Sequence, residues 1–300
     1  MMLSITISTK NRPAYLHRQV QYYFDVGFKG NLYIGDSSDA EIAESTKSFI
    51  EKFRGRMNII YRKFPELGEA QTTQKLLDIV STPYAVWSGD DDFLVPKGLD
   101  ECIEFLESNP EYHAAHGVAI AVNHTNNNEV TNSWKYNQPV VEGDTASKRL
   151  LQYLDDGGDV HYSVHRIESR RRMYKYSPLL KNHDVGAGDM PCLMSVILGP
   201  IKQLDCLTLV RGIDNNTRNK TQNIYESVLN PEWCNSYHLL YETLIDELAQ
   251  TDNITVEQAK GIVKIVMKKR FMAAFQNQRA QKKIKIKNFK DYIKMSNIIK

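Results

Sequence analysis

Residues 84–96 read YAVWSGDDDFLVP, an apolar run that ends in three consecutive carboxylates. Tyr84, Ala85, Val86 and Trp87 suit a short buried strand, because β-branched and aromatic side chains bounded by Pro83 and Gly89 fit a pleated, covered surface. At the strand's end, Asp90, Asp91 and Asp92 would repel one another unless a cation or solvent compensates. Oxygen-only donors in so tight a group suit Mg²⁺ or Mn²⁺, ions that hold few protein ligands and take the rest from substrate phosphates. The plainer alternative is a cap for the helix that follows, with Pro96 in its first turn, yet one Asp would suffice for that.

Outward from this stretch, strand and helix patterns alternate. Residues 3–8 alternate Leu, Ile, Ile with Ser, Thr, Ser; then 9–13 break the pattern ahead of an amphipathic helix carrying Leu16, Val20, Tyr23 and Phe24. A second strand is predicted at 31–34. The helix after it runs through Ile42, Phe49, Ile50 and Phe53, and Ser38 and Glu41 have capping-box spacing at its start. A third strand at 57–61 and a helix at 68–80 precede the Tyr84 strand. A helix at 96–107, with Leu99, Ile103 and Leu106, and an apolar strand at 112–122 follow it. Such alternation predicts an α/β fold around a parallel sheet with right-handed crossovers. Ligands of these sheets sit beyond the carboxyl ends of the strands. Three polar clusters fall there, Thr9-Lys10-Asn11-Arg12, Asp36-Ser37-Ser38 and the aspartate triplet, and they are expected to meet in one crevice.

After Asn123 the pattern changes. Residues 124–136 and 155–159 read as polar loops, 161–166 as a strand, 168–176 as a short basic helix, 191–198 as a buried helix and 207–211 as another strand. From Pro231 the chain reads as helical, first with Tyr237, Leu240, Leu244 and Leu248 on one face, then over 256–275. The organisation expected is 1–122 as a nucleotide-binding half, 123–230 as an acceptor half of the same domain, and 231–300 as a helical C-terminal extension.

Composition bounds the function. A chain of 300 residues, 42% hydrophobic and 25% charged, is ordinary for a globular protein. Its net charge of +2 conceals a basic tail, Lys-rich from 268 onward with Asp291 the single carboxylate there. Cys102, Cys192, Cys206 and Cys234 form no CxxC pair, so neither a zinc knuckle nor a disulfide framework is signalled. The histidines show no helical HxxxH or HExxH spacing, and lone histidines are more often structural than ligands. The start, MMLSITIS, lacks the pattern of a secretory signal, and no apolar run reaches about 18 residues, so a cytoplasmic location is expected.

The succession ISTKNRPAYLHRQVQYY, YIGDSSD and TPYAVWSGDDDFLVPKGLDECIEFLESNP resembles the nucleotide-sugar glycosyltransferases of the GT-A fold, in the family 2-like group of bacterial surface-polysaccharide pathways. The resemblance covers residues 3–122 and is loose over 123–230. It implies a Rossmann-like, mostly parallel sheet with flanking helices, and a nucleotide-sugar donor whose sugar passes to a hydroxyl of a glycan or lipid-linked acceptor. By its motifs, Thr9, Asn11 and Arg12 lie beside base and ribose, Asp36 bonds the base, and Asp90 to Asp92 match a DxD-type motif. Of these Asp90 is assigned to the nucleotide and Asp91, with Asp92, to Mn²⁺ or Mg²⁺; relatives often carry Asp where Gly89 stands, which leaves the division among the three open. Gly68 and Gln71 fall where relatives often carry a Gly and an Asn near the diphosphate. A divalent ion stabilises charge developing on the β-phosphate, and an inverting transfer adds a carboxylate that takes the acceptor's proton. In the family that carboxylate precedes a helix of the acceptor half, which points to Asp189 in GAGDMPCLMSVILGP, with Asp184 the alternative and a plain helix cap the bland one.

Two other functions fit a carboxylate-bearing α/β sheet. A nucleotidyltransferase lacks support, since neither a glycine-rich phosphate loop nor GxGxxG is present; a binding module on a degenerate transferase fold is the other. Residues 279–300 interleave Ile284, Ile286, Phe289, Tyr292, Ile293 and Ile298 with lysines. As a helix this tail would lie on an anionic membrane surface or, equally, form the solvated face of a packing helix. Nucleic acid is a weaker expectation, because aromatics are few and the charge is local.

Overall fold

A computed structural model describes residues 2–124, 130–213 and 224–296. The first half runs β1 (Leu3–Thr9), α1 (Pro13–Asp25), β2 (Asn31–Asp36), α2 (Ala40–Ile50), β3 (Asn58–Lys63), α3 (Glu69–Ile79), β4 (Tyr84–Ser88), β5 (Phe93–Leu94) and α4 (Pro96–Ser108). The second runs β6 (Ala114–His124), β7 (Val130–Tyr136), α5 (Ala146–Asp156), β8 (Val164–Arg166), α6 (Ile167–Tyr174), α7 (Met190–Leu198), β9 (Ile201–Ile213), α8 (Ile224–Ser227), α9 (Pro231–Asp252) and α10 (Val256–Ser296).

The strands form one sheet in the order β3-β2-β1-β4-β8-β6-β9-β5, with β7 added to β6. β3, β2, β1 and β4 are mutually parallel, and so are β6 and β9, which make up most of the paired length. The wholly parallel sheet expected over the first half is corrected at two places, the first being the two-residue β5, which is antiparallel to β9. At the second, β6 does not join β4; the three-residue β8 inserts between them, antiparallel to both. The mixed α/β fold class is otherwise as expected.

β1 shows how the sequence sets the layers. Its period-two alternation puts Leu3, Ile5 and Ile7 in a core with Leu16, Val20 and Tyr23 of α1 and Leu99 and Leu106 of α4. Ser4 and Ser8 face the other way, toward α3, where their hydroxyls meet Thr82 at 2.7 Å and Thr73 at 2.8 Å. A strand covered on both faces tolerates these hydroxyls because each finds a partner. The opposite layer gathers α3, α5, α6, α7, α9 and α10. Leu76 and Leu77 share a core there with Leu193, Val196, Leu240, Leu244, Val263 and Val266. The C-terminal helices therefore belong to the main core, packing on α5 and α7.

Several local expectations change. Within 124–136, read as a loop, Val130–Tyr136 is an edge strand whose exposed VTNSWKY pairs with β6; residues 125–129 lie outside the described residues. α5 has no counterpart in the sequence reading, although Thr145 caps it by accepting from Lys148 N at 3.2 Å. The Ser38–Glu41 capping box does not form, because the Ser38 hydroxyl instead accepts from Asn11 N at 2.7 Å. α10 continues beyond 275 through Ser296, and the side chains of 280–300, on which the membrane expectation rests, lie outside the described residues. Among the described residues no helix is long and apolar enough to cross a membrane.

Candidate functional site

Because β1, β2 and β4 run parallel, their polar ends emerge along one edge of the sheet. There the chain forms an open cleft of about 680 Å³, lined by Ser8, Thr9, Lys10, Arg12, Ser37, Leu67, Gly68, Glu69, Trp87, the stretch Gly89 to Asp92, Tyr162, His183, and Arg211 to Ile213.

The aspartate turn is held from three sides. Gln19 of α1, fully buried, points its amide into the turn and donates to Gly89 O at 2.7 Å, Asp92 O at 2.6 Å and Ser88 Oγ at 2.9 Å. The loop after β1 reaches across: the Thr9 hydroxyl donates to Asp90 Oδ2 at 2.7 Å. Arg12 spans the first two carboxylates, Nη1 to Asp90 Oδ1 at 2.5 Å and Nη2 to Asp91 Oδ2 at 2.7 Å. Asp92 turns inward, where the Tyr162 hydroxyl donates to Oδ2 at 2.6 Å and the Gly212 amide to Oδ1 at 3.0 Å. Burial dominates the electrostatics. It lifts the Asp90 carboxyl to about 6 against the opposing pull of Arg12 and Thr9. Burial, reinforced by the charge of Asp91, lifts Asp92 to about 7.

The donor chemistry suits a hard divalent cation, although the three side chains as they stand do not bring one oxygen each within 4.8 Å of the others. All the donor atoms are carboxylate oxygens, two of the three groups are buried enough that ionisation is resisted, and an added cation would relieve that resistance. A Cβ placed on Gly89 would lie 2.8 Å from Asp92 Oδ2 and 3.1 Å from Asp91 Oδ1, so those two oxygens flank the bare glycine on one side of the turn.

Of the residues singled out from the sequence, the cleft brings together Thr9, Arg12, Asp90, Asp91 and Asp92. Asn11, Asp36, Asp184 and Asp189 are not among its lining residues, although Asp184 adjoins lining His183. Asn11 adopts a left-handed conformation (φ 56°) and staples two loops, its Oδ1 accepting from Asp39 N at 2.9 Å and its Nδ2 donating to Asp39 Oδ2 at 3.1 Å. Asp36, 1% exposed, accepts from Ser38 N at 2.8 Å and from the Tyr61 hydroxyl at 2.6 Å, which shapes the loop that presents Ser37. Asp189 ends a single wide helical turn, Asp184–Asp189, and both its oxygens meet Arg270 of α10, with the Tyr237 hydroxyl of α9 also donating. Gly68 lines the cleft, and Gln71 serves it indirectly by accepting from Gly68 N at 2.8 Å.

The far wall was not foreseen. Arg211 stacks on Tyr136 and Tyr162, 4.7 and 5.8 Å from the ring centres, and lines the same cleft as Arg12. A strand-end position after the apolar run LTLV was the available signal for it. His183, set aside as a lone histidine, also lines the cleft. Its Nδ1 meets Asp184 at 3.3 Å and its Nε2 meets Glu69 at 3.0 Å, and these hydrogen bonds raise the imidazole to about 10, which favours its charged form. Lys10, Arg12, His183 and Arg211 share the lining with Glu69 and the three aspartates, Arg12 and His183 being paired with carboxylates already; these four cations are the groups that would meet a phosphate-bearing ligand.

No protein-family model matches the chain, and no curated protein matches it in sequence. Solved structures do match. S. aureus TarS residues 1–349 aligns over 91% of this chain and 72% of that one, with a TM-score of 0.57 at 13% identity. The same TarS fragment in complex with UDP aligns with a TM-score of 0.56 at 12% identity over 91% and 72% of the two chains. In complex with UDP-GlcNAc it aligns with a TM-score of 0.58 at 13% identity over 91% and 73%. Identity this low establishes likeness of fold: the chain shares the α/β fold of TarS, in keeping with the Rossmann-like, mostly parallel sheet expected of its N-terminal half.

Proposed function

We propose that this protein is a glycosyltransferase that takes a sugar from a nucleotide-sugar donor bound in the cleft. The carrying observation is the aspartate turn, fixed by Gln19, Thr9 and Arg12 at the strand ends, facing a cleft rimmed by Arg211 and His183. In TarS the same fold is seen with UDP and UDP-GlcNAc. We assign Asp91 and Asp92 as ligands of Mn²⁺ or Mg²⁺, which when bound supplies Lewis-acid stabilisation of the leaving diphosphate. The protein's own residues do the rest. Arg211 and protonated His183 attract the diphosphate, Thr9 and Arg12 hold Asp90 in place beside the nucleotide, and Trp87 and Tyr162 supply aromatic surface to the cleft.

Transfer with inversion needs a carboxylate to accept the acceptor hydroxyl's proton. Asp184, half-exposed and in contact with cleft-lining His183, is assigned that task. Asp189, engaged by Arg270 and Tyr237, is assigned to anchoring the turn that carries Asp184. The acceptor is proposed as a hydroxyl of a glycan or a lipid-linked glycan, with the basic stretch 279–300 contacting anionic membrane; loss of vesicle binding on its deletion is the expected result, and unchanged binding removes that contact. The function itself is tested by thermal-shift screening of nucleotide sugars with and without Mn²⁺. A true donor at a hundredfold excess over Kd adds about 2.7 kcal/mol of stability. No stabilisation by any nucleotide sugar, with metal present, would overturn the assignment.

A further inference from the structure

Behind the cleft floor, three side chains that the proposed transfer does not use converge on one point. Asp159 lies in the loop after α5, His161 precedes β8, and Cys192 sits in the first turn of α7. One atom from each, Asp159 Oδ1, His161 Nδ1 and Cys192 Sγ, lies within 4.8 Å of the others. The pairs measure 3.0 Å from Asp159 Oδ1 to His161 Nδ1, 3.1 Å from Cys192 Sγ to Nδ1 and 3.8 Å from Sγ to Oδ1. We propose that Asp159, His161 and Cys192 bind a zinc ion, at a site separate from the aspartate turn.

Shape argues for a shared ion. Ligands of a tetrahedral Zn²⁺, at about 2.0–2.1 Å for nitrogen, 2.0–2.2 Å for oxygen and 2.3 Å for sulfur, stand about 3.3–3.6 Å from one another, and the observed triangle brackets that spacing. A hydrogen-bonded relay of Cys, His and Asp would place its two partners on opposite ring nitrogens. Here both crowd Nδ1, which has either one proton or one lone pair to offer. Sγ also lies 3.9 Å from Nε2, so it stands well off the axis of the Nδ1 lone pair, where a thiol hydrogen bond is poor.

Chemistry selects the ion. Thiolate with imidazole suits Zn²⁺, whereas the oxygen-only aspartate turn suits Mg²⁺ or Mn²⁺. Binding releases the Cys192 thiol proton to solvent. The surroundings orient the ligands: the Tyr136 hydroxyl donates to Asp159 Oδ2 at 3.3 Å, leaving Oδ1 toward the ion, and the His161 ring packs on Trp87, 5.6 Å between centres. Trp87 lines the cleft, and Tyr162 follows His161 directly, so an ion here would pin α7 to the segment that carries the cleft's floor. No local motif announces the site, since His161 and Cys192 stand 31 positions apart.

The test is metal analysis of the full chain purified with zinc in the medium and dialysed, alongside Cys192→Ser, Asp159→Asn and Asp91→Ala. About one zinc per chain is expected in the unaltered protein and in Asp91→Ala, with at least a tenfold loss of affinity in Cys192→Ser and Asp159→Asn. Loading with Co²⁺ should give a thiolate-to-cobalt charge-transfer band that Cys192→Ser abolishes. Should that variant fail to fold, the band in the unaltered protein still decides, because none of the other assigned ligands is a thiolate. Absence of both stoichiometric zinc and the cobalt band, or zinc retained in full by a folded Cys192→Ser, overturns the proposal.

Discussion

Arg12 and Asp90 face each other at 2.5 Å across the mouth of the cleft, from loops 78 positions apart in the chain. Asp90 is 3% exposed, so the pair ties the end of β1 to the end of β4 and also neutralises a carboxylate that water does not reach. Removing one partner of such a pair leaves the other charge uncompensated. Arg12→Ala is expected to lower stability by about 1–3 kcal/mol, the lower figure reflecting the partial exposure of the guanidinium. Arg12→Lys should recover only part of this, since an ammonium cannot span Asp90 and Asp91 together. Urea denaturation of the two variants checks the order; equal stability of Arg12→Ala and the parent would show that the pair contributes nothing.

Asp92 makes the protein's stability depend on pH. Its folded carboxyl titrates near 7, above the ordinary value of 3.8, because burial and Asp91 disfavour its charge. A group raised on folding contributes stability that is fully present below its unfolded pKa and is lost as pH rises through its folded one. With chelator present, the parent should therefore lose stability relative to Asp92→Asn between about pH 4 and pH 7, and Asp90, lifted to about 6, should act in the same direction. Melting temperatures of both proteins across that range are the measurement. A difference that stays constant with pH would place the folded Asp92 pKa near its ordinary value.

Much of this was legible because local rules and tertiary structure agree. LSITIST alternates with the sheet's two faces, and YAVWS followed by charge marks the end of a covered strand, so β1 to β4 and the aspartate turn were readable in order. What escaped depends on distant partners. Tyr162 and Gly212 complete the Asp92 site from 70 and 120 positions away. β8 is three residues long, too short to show a period, yet it sits mid-sheet. Asp189 was singled out for standing ahead of an apolar helix, and its guanidinium partner, Arg270, lies 81 positions on in a helix read only as an extension.

Asp91 separates metal binding from folding. Its side chain is 20% exposed, the most open of the triplet's two Arg12-bound carboxylates, and the turn around it is held by Gln19 through backbone carbonyls that a side-chain change leaves alone. Asp91→Ala is expected to keep the melting profile within a few degrees and to lose Mn²⁺-dependent binding of a nucleoside diphosphate in calorimetry. Gly89→Ala should weaken the same binding, because its methyl would press on Asp92 Oδ2 and Asp91 Oδ1. Unchanged, chelator-insensitive binding in Asp91→Ala would remove the metal role from this residue.

The proton acceptor can be assigned by comparing two asparagine variants. Asp184 and Asp189 begin and end the same wide turn, but their partners differ. Asp184 is 52% exposed and meets His183 on the cleft, whereas Asp189 is 14% exposed and faces Arg270 and Tyr237 between α7, α9 and α10. If Asp184 takes the proton, Asp184→Asn keeps donor affinity and stability but lowers turnover by roughly 10²- to 10⁴-fold. Asp189→Asn leaves Arg270 facing a neutral amide, and so should cost about 3 kcal/mol of stability, with turnover falling only as far as the turn loosens. Stability curves and single-turnover rates on both variants, with product configuration read by NMR, separate the outcomes. A folded Asp189→Asn with turnover down a thousandfold, beside an active Asp184→Asn, would reverse the assignment and make Asp189 the base; a product of retained configuration would exclude single-displacement transfer for both.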